Sequence, residues 1–400
     1  MRKKKKIIIC SHALEIGGVE RSLIDLLNCI NYNLVEVDLF LYRHSGEWMN
    51  SIPDNVRLLP EIRQYASLAV PMVQVLRKGS WSVLLGRIYG KIKANMFNRK
   101  YHFKDSGVNI EYSHKYTLWA MPEINPEKVY DMAISFLTPH YFVENKVNAK
   151  KKLAWIHTDY SYIGIDIASE KKMWEQYDGI VSISESCSAG FLSKFPELKS
   201  KVFIIENVLS ETTVKSKAEA EHPIGMKKEK GIVNLLSIGR FSFQKNFDQI
   251  PDICKRIVQL GCNIKWYIIG YGDASKIQEN IKKYDLQDRV IILGKKTNPY
   301  PYILNCDVYI QPSRYEGKSV TVREAQMLHK PVIITAYPTA KSQVKDGYDG
   351  IIVPLENDRC ASRIAELLKE KTELDRVASN TGHIDYSNKC ELNKLYAFME

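Results

Sequence analysis

The chain has 400 residues, 45% of them hydrophobic and 26% charged, which is enough for two globular cores. Its formal net charge of +11 favours an anionic partner, and no apolar run approaches the roughly 20 residues that span a bilayer. The 8 cysteines are scattered without a Cys-x-x-Cys pair, which argues against a zinc site and a disulfide framework and fits a reducing cytoplasm.

In chain order, MRKKKKIIIC opens with lysines and a short apolar run. That run falls short of the roughly 7–15 residues of a leader's apolar region, so a first strand is expected here. Strand-like runs then follow at VEVDLFLY, NVRLL, DMAISFL, KLAWIH, GIVSIS and VFIIEN, and in the second half at IVNLLSIGR, IKWYIIG, RVIILG, CDVYIQP, PVIIT and GIIVP. Most are continuously apolar rather than alternating, the pattern of parallel strands covered by helices on both faces. Two such series predict two doubly wound α/β domains, 1–207 and 208–379. Residues 208–231 are polar and read as a linker with a surface excursion, and Asn207 reads as a hinge residue.

Between Glu61 and Asp105 there is no acidic residue and there are nine basic ones. Trp81, Leu84, Leu85, Ile88 and Ile92 recur among them at helical spacing. Residues 74–104 therefore read either as a helix packed on the core with solvated lysines, or as a basic amphipathic surface for an anionic membrane. No motif of a nucleic-acid reader accompanies the charge.

Gly17 and Gly18 stand between the first strand and the helical run VERSLIDLLNCI. Glycines there let a diphosphate approach the backbone and the next helix's free N–H groups; the alternative is a plain tight turn. Glu20 is read as ordering this loop. Arg240 and Lys245 follow the strand IVNLLSIG, two cations able to neutralise a leaving diphosphate, and the chain contains no Asp-x-Asp to hold a divalent ion there. GYGDAS, from Gly270, lacks the third glycine of a dinucleotide fingerprint and reads as a turn. Glu316 and Glu324 are seven residues apart, the first in a loop after CDVYIQPS and the second about two turns down a helix expected from Ser319. A loop and a helix start at the carboxyl end of a parallel strand form a phosphate site, and two carboxylates beside it suit sugar and ribose hydroxyls.

The E-x7-E spacing, GGVERSL and SIGRFSFQKNF, in this order and each after a strand, resemble the signatures of retaining glycosyltransferases of glycosyltransferase family 4, which have the GT-B fold. The resemblance implies two Rossmann-like domains facing each other across a cleft, with a last helix, 380–400, packing back on the first. It implies transfer of a hexose, from a UDP-sugar by preference, to a lipid-linked or oligosaccharide acceptor in surface polysaccharide synthesis, with no metal or other cofactor. In that scheme Glu316 meets the donor sugar, Glu324 the ribose, and the backbone of Gly317, Lys318, Ser319, Val320 and Thr321 the diphosphate. Arg240 and Lys245 stabilise the leaving group. His157, at the end of KLAWIH, lies near the donor sugar. Thr297 and Asn298 are read as framing the nucleobase, and Tyr160 and Tyr162 as lining the acceptor side. Where such chains have Gly-Phe-Gly after the first glutamate, this one has Gly317-Lys318-Ser319, which leaves the donor sugar open. A sugar-nucleotide epimerase or phosphorylase on the same fold, or a basic peripheral membrane module with a degenerate site, are the competing readings. The expected location is cytoplasmic, peripheral on the inner face of the cell membrane.

Overall fold

The computed structural model describes residues 4–15, 17–77, 79–102, 106–158, 160–161, 163–316 and 318–400. The chain divides into two compact units, Met1–Leu209 with Asn388–Glu400, and Ser210–Ser387.

The first unit is built on a parallel sheet of β1 (Lys5–Ser11), β2 (Val35–Leu41), β3 (Val56–Leu58), β4 (Tyr130–Ser135), β5 (Ala149–Ile156), β6 (Gly179–Ser182) and β7 (Val202–Ile204), in the order β3-β2-β1-β4-β5-β6-β7. The continuous apolar run of β1 serves both faces. Ile7 and Ile9 pack into one core layer and Ile8 and Cys10 into the other, all essentially inaccessible. Each such side chain contributes about 1.5–3 kcal/mol by leaving water. The second unit repeats the plan with β8 (Val233–Ile238), β9 (Ile264–Ile269), β10 (Val290–Gly294), β11 (Val308–Gln311), β12 (Val332–Thr335) and β13 (Ile351–Val353), in the order β10-β9-β8-β11-β12-β13. Strand order reverses between β1 and β4 in one unit and between β8 and β11 in the other. At such reversals the loops beyond the carboxyl ends diverge and leave a crevice.

The segment after Ser387 belongs to the first unit. Leu392, Leu395 and Met399 enter its core. The Phe398 ring stacks on Phe203 at 5.6 Å, and the Tyr396 hydroxyl accepts from the Asn31 N–H at 2.8 Å.

Two segments differ from their sequence reading. The polar stretch 208–231 contains a capped helix, Glu211–Glu219, in which Ser210 accepts from the Thr213 N–H and Val214 and Ala218 are buried. A serine cap and an apolar pair at i, i+4 hold it despite its polarity. In the basic stretch a helix runs 21 residues, Trp81–Tyr101, and its buried residues are Val83, Gly86, Gly90 and Ala94. Trp81, Leu85, Ile88 and Ile92 are exposed; of the expected apolar positions, Leu84 packs against the core. The small residues win the inward face because the helix Val108–Thr117 crosses very close. A Cβ on Gly86 would lie 2.6 Å from the Tyr116 carbonyl oxygen, and one on Gly90 2.7 Å from that of Tyr112. Lys78 and Lys104 of this stretch lie outside the described residues. No helix among the described residues is long and apolar enough to cross a membrane.

Candidate active site

In the second unit the loops after β8 and β11 meet at the strand reversal. The loop after β8 carries Arg240, which is exposed, and Lys245, the last residue of a short 3-10 turn. Asn246 follows in the left-handed region (φ 62) and turns the chain at once; Asn is among the few non-glycine residues that tolerate this conformation. The turn presents Lys245 to Glu316, and its Nζ donates to Glu316 Oε1 at 2.6 Å.

The same oxygen is approached from inside the sheet. The Tyr309 hydroxyl donates to Gln311 Oε1 at 2.7 Å, Gln311 Nε2 donates to Ser313 Oγ at 2.9 Å, and Ser313 Oγ donates to Glu316 Oε1 at 2.6 Å. Tyr309, Gln311 and Ser313 are wholly buried. Buried polar groups need partners, and in a chain each bond fixes the direction of the next. Oε1 of Glu316 is thereby held by two donors, whereas Oε2 has a long contact of 3.4 Å from Gln244 Nε2. The Glu316 carbonyl accepts from Thr339 Oγ1 at 2.6 Å.

Arg314 ties the two loops together. Its guanidinium forks onto Asp248 at 3.1 and 3.2 Å, lies 4.1 Å from the Phe243 ring centroid, and its backbone N–H donates to the Gln244 carbonyl at 2.8 Å. Burial raises the Asp248 pKa, but hydrogen bonds led by Arg314 outweigh it and hold the carboxyl below its ordinary range. Tyr337, in the loop after β12, is buried with no hydrogen-bond partner for its hydroxyl among the described residues. Burial, then the charge of Glu316, raises its pKa.

The helix Val320–Met327 begins one residue after Ser319, as the spacing predicts. Glu324 lies on it, fully buried, with the Tyr300 hydroxyl 3.4 Å from its Oε1. The Ser319 N–H, expected to face a diphosphate, is engaged instead: it donates to Gln343 Oε1 at 2.5 Å. The Thr321 hydroxyl likewise sits 2.8 Å from the Tyr309 hydroxyl and 3.0 Å from Ser319 Oγ. Lys318 and Val320 are half-buried; Gly317 lies outside the described residues. Thr297 is exposed in the loop after β10. The Asn298 side chain is engaged at both ends, donating to the Lys217 carbonyl at 2.9 Å and accepting from the Tyr300 N–H at 3.3 Å. It therefore braces the Glu211–Glu219 helix rather than standing open to a base.

In the first unit, Gly17 is an extended N-cap (φ −158) of the helix Gly18–Cys29. The Glu20 carboxylate folds back so closely that a Cβ at Gly17 would lie 2.1 Å from its Oε2, whereas a Cβ at Gly18 would meet nothing within 4 Å among the described residues. His157 ends the run of β5 with its ring 4.5 Å from Phe136. Burial pushes its imidazole down to about 3, a hydrogen bond to the Phe136 backbone acting the other way, and its buried Nε2 has no partner. His157 is thus a neutral hydrogen-bonding group. His12, beyond the end of β1, is similar: stacked on Tyr42 at 5.0 Å, lowered to about 4 by burial, its Nε2 unpartnered. Tyr160, expected on the acceptor side, is instead core. It is 1% exposed and its hydroxyl donates to the buried Glu170 at 2.9 Å. Its ring meets Phe191 edge-on at 5.4 Å and Trp174 at 6.2 Å, an apolar setting that draws it inward. Tyr162 lies outside the described residues. Asn207 accepts from Ser22 Oγ at 2.8 Å, just before the first unit ends.

The sequence reading missed Gln311, Ser313, Arg314, Tyr337 and His12. Ser313 and Arg314 stand beside Glu316, so proximity to that carboxylate was the available signal. Gln311 looks like an interruption of an apolar strand, and Tyr337 lies in a loop without a motif. Among the described residues no three His, Cys, Asp or Glu side chains group to hold a metal ion.

Residues 218–383 match the family model described as Glycosyl transferases group 1. The lipopolysaccharide core biosynthesis mannosyltransferase LpsB of Rhizobium meliloti is 28% identical over 175 residues, 41% of this chain and 49% of LpsB. The amylovoran biosynthesis glycosyltransferase AmsD of Erwinia amylovora is 31% identical over 126 residues, 31% of this chain and 35% of AmsD. The chain thus spans less than half the length of these curated relatives. The crystal structure of Anabaena Alr3699/HepE in complex with UDP superposes with a TM-score of 0.64 over 98% of this chain and 99% of that one, at 13% identity. With the two parallel sheets, that likeness shows the two-domain α/β GT-B fold.

Proposed function

We propose that the chain is a retaining glycosyltransferase of the family 4 type that moves a hexose from a UDP-sugar to a lipid-linked or oligosaccharide acceptor in surface polysaccharide synthesis. The observation that carries the reading is the convergence of Lys245 and Ser313 on one oxygen of Glu316 at the β8/β11 reversal. This leaves the other oxygen to accept from a sugar hydroxyl. The group 1 model over residues 218–383 and the polysaccharide roles in the relatives' names support it.

The bond from the anomeric carbon to the donor phosphate breaks, a bond from that carbon to the acceptor oxygen forms, and the acceptor's proton passes to a phosphate oxygen. Negative charge grows on the diphosphate. Lys245 and the exposed Arg240 are the cations assigned to it, and such fixed charges act where the charge develops. Glu316 positions the donor sugar, Glu324 the ribose, and neutral His157 donates to or accepts from the sugar without adding a charge. No divalent ion is assigned a role, because the cations of this loop serve the diphosphate. The 8 free cysteines fit a reducing, cytoplasmic setting for the reaction.

Thermal stabilisation without added metal tests this, with UDP, GDP, ADP and their sugars as ligands. At about 100 times Kd a ligand adds roughly 2.7 kcal/mol. Stabilisation by UDP and a UDP-hexose, unaltered by EDTA and lost in Glu324→Ala, is the expected result. Isomerisation of the donor without any acceptor would make the chain an epimerase. Failure to bind every nucleotide would make the site degenerate.

A further inference from the structure

The helix Trp81–Tyr101 is packed inside out. Its inward seam is Val83, Gly86, Gly90 and Ala94, joined by the partly buried Leu84 and Phe97, while most of its large apolar side chains are exposed. Trp81, Leu85, Ile88, Ile92 and Met96 follow one another at three or four residues along the exposed side. The close crossing of Val108–Thr117 leaves the inward face to small residues, so the large ones stay outside. Trp119 continues the stripe from the neighbouring turn, and the chain's other tryptophans, 48, 155, 174 and 266, are all buried. The two exposed tryptophans, at 62% and 65%, are thus tied to the stripe, Trp81 as its first residue and Trp119 through a groove it shares with Leu85. The groove, of about 690 Å³, opens beside Trp119 and Leu85 and is walled also by Tyr89 and Leu118, with Lys115 and Lys146 lining it. Lys91, Arg99 and Lys100 are exposed on the helix itself, and no acidic residue occurs from 62 to 104.

We propose that this face docks on an anionic bilayer, its large apolar side chains entering the headgroup boundary and the groove seating one lipid acyl chain. The chemistry selects that occupant. Exposed apolar patches of this kind mark association sites. Aromatic residues with an apolar body and polar edge suit a membrane interface. A flank that carries no acidic residue from 62 to 104 is complementary to lipid phosphates. The face does not depend on the transferase reading, and its test has no activity readout.

The test is sedimentation of the full chain with phosphatidylglycerol vesicles, followed by quenching of tryptophan fluorescence with lipids brominated on the acyl chain. The expected results are binding at least 10-fold tighter to phosphatidylglycerol than to phosphatidylcholine, weakening in 0.5 M salt, and quenching that falls by more than half in Trp81→Ser/Trp119→Ser. Leu85→Ser/Ile92→Ser, with an unchanged melting temperature, loses binding at least 10-fold. Absence of vesicle binding by the folded chain overturns the proposal. So does a concentration-dependent dimer that the same double variant dissolves, since a second copy would then cover the stripe. Equal binding to both lipids overturns the charge argument and with it the choice of an anionic surface.

Discussion

Glu316 is held on one side by a loop lysine and on the other by a chain of hydrogen bonds that starts deep in the sheet, and the two supports predict different phenotypes. Lys245→Ala removes a charge from the reacting region and is expected to lower kcat by about 10²–10³ with little change in melting temperature. Gln311→Met keeps the volume but breaks the relay and leaves Ser313 free to turn. It is expected to cost about 1–3 kcal/mol in stability, because Tyr309 and Ser313 lose a buried partner. It should also lower kcat more than it raises KM for the donor, since the misplaced group is the carboxylate. Gln311→Glu is the sharper probe. A carboxylate at 311 accepts from Ser313 and draws its proton away from Glu316, so this variant should lose as much kcat as Gln311→Met. Steady-state kinetics with a matched urea titration checks both, and a Gln311→Glu enzyme of normal kcat would sink the relay. Gly18→Ala separates fold from function in another way. Among the described residues no atom lies within 4 Å of the new methyl, so the variant is expected to melt like the wild type and to lose donor affinity in the thermal-shift assay.

The pair of helices Trp81–Tyr101 and Val108–Thr117 is the clearest case of close approach setting an element's orientation. Gly90→Val drives side-chain carbons into the Tyr112 carbonyl, a backbone atom that cannot rotate away. It is expected to destabilise the first unit by about 1–3 kcal/mol, the range for overpacking, read as a lowered urea midpoint. Here the sequence could be read only so far. The apolar spacing of Trp81, Leu85, Ile88 and Ile92 marks a helix, but periodicity does not say which face turns inward. Gly86, Gly90 and Ala94 carried that information, in a pattern that has meaning only against a partner helix. The strands were more legible, because Ile7-Ile8-Ile9 and their counterparts are buried on both faces and leave no orientation to choose. Glu316 and Lys245 were legible as a spacing. Gln311, which reaches Glu316 through Ser313, was not, because its role comes from the fold of the loop after β11 rather than from any local rule.

For the whole molecule, buried titratable groups define a narrow pH optimum of stability. Glu111 and Glu170, within the first unit, are raised by burial above all, to about 7 and about 8, against about 4.3 in the unfolded chain. The folded state therefore binds more protons in that window, and stability falls as pH climbs from about 4.3 through 8. His12 and His157 are lowered to about 4 and about 3, and His114 and His140 also lie well below their ordinary value, all chiefly by burial. The folded state binds fewer protons there, so stability falls as pH drops below about 6.5. Four histidines outweigh two glutamates where the windows overlap, which puts the optimum near pH 6.5. Urea midpoints at pH 5, 6.5 and 8.5 should peak at the middle value, and Glu111→Gln/Glu170→Gln should remove the decline on the alkaline side.

The return of Asn388–Glu400 to the first unit has a consequence for the order of biosynthesis. Domains commonly fold in turn as they leave the ribosome. Here the earlier half cannot close its core until Leu392, Leu395 and Met399 have been made, whereas Ser210–Ser387 is complete beforehand. The nascent chain thus holds an unfinished first half through the translation of everything between, with the Phe203 and Gly179 surfaces waiting for Phe398. A stop codon after Ser387 should leave a folded second unit on a protease-sensitive first one.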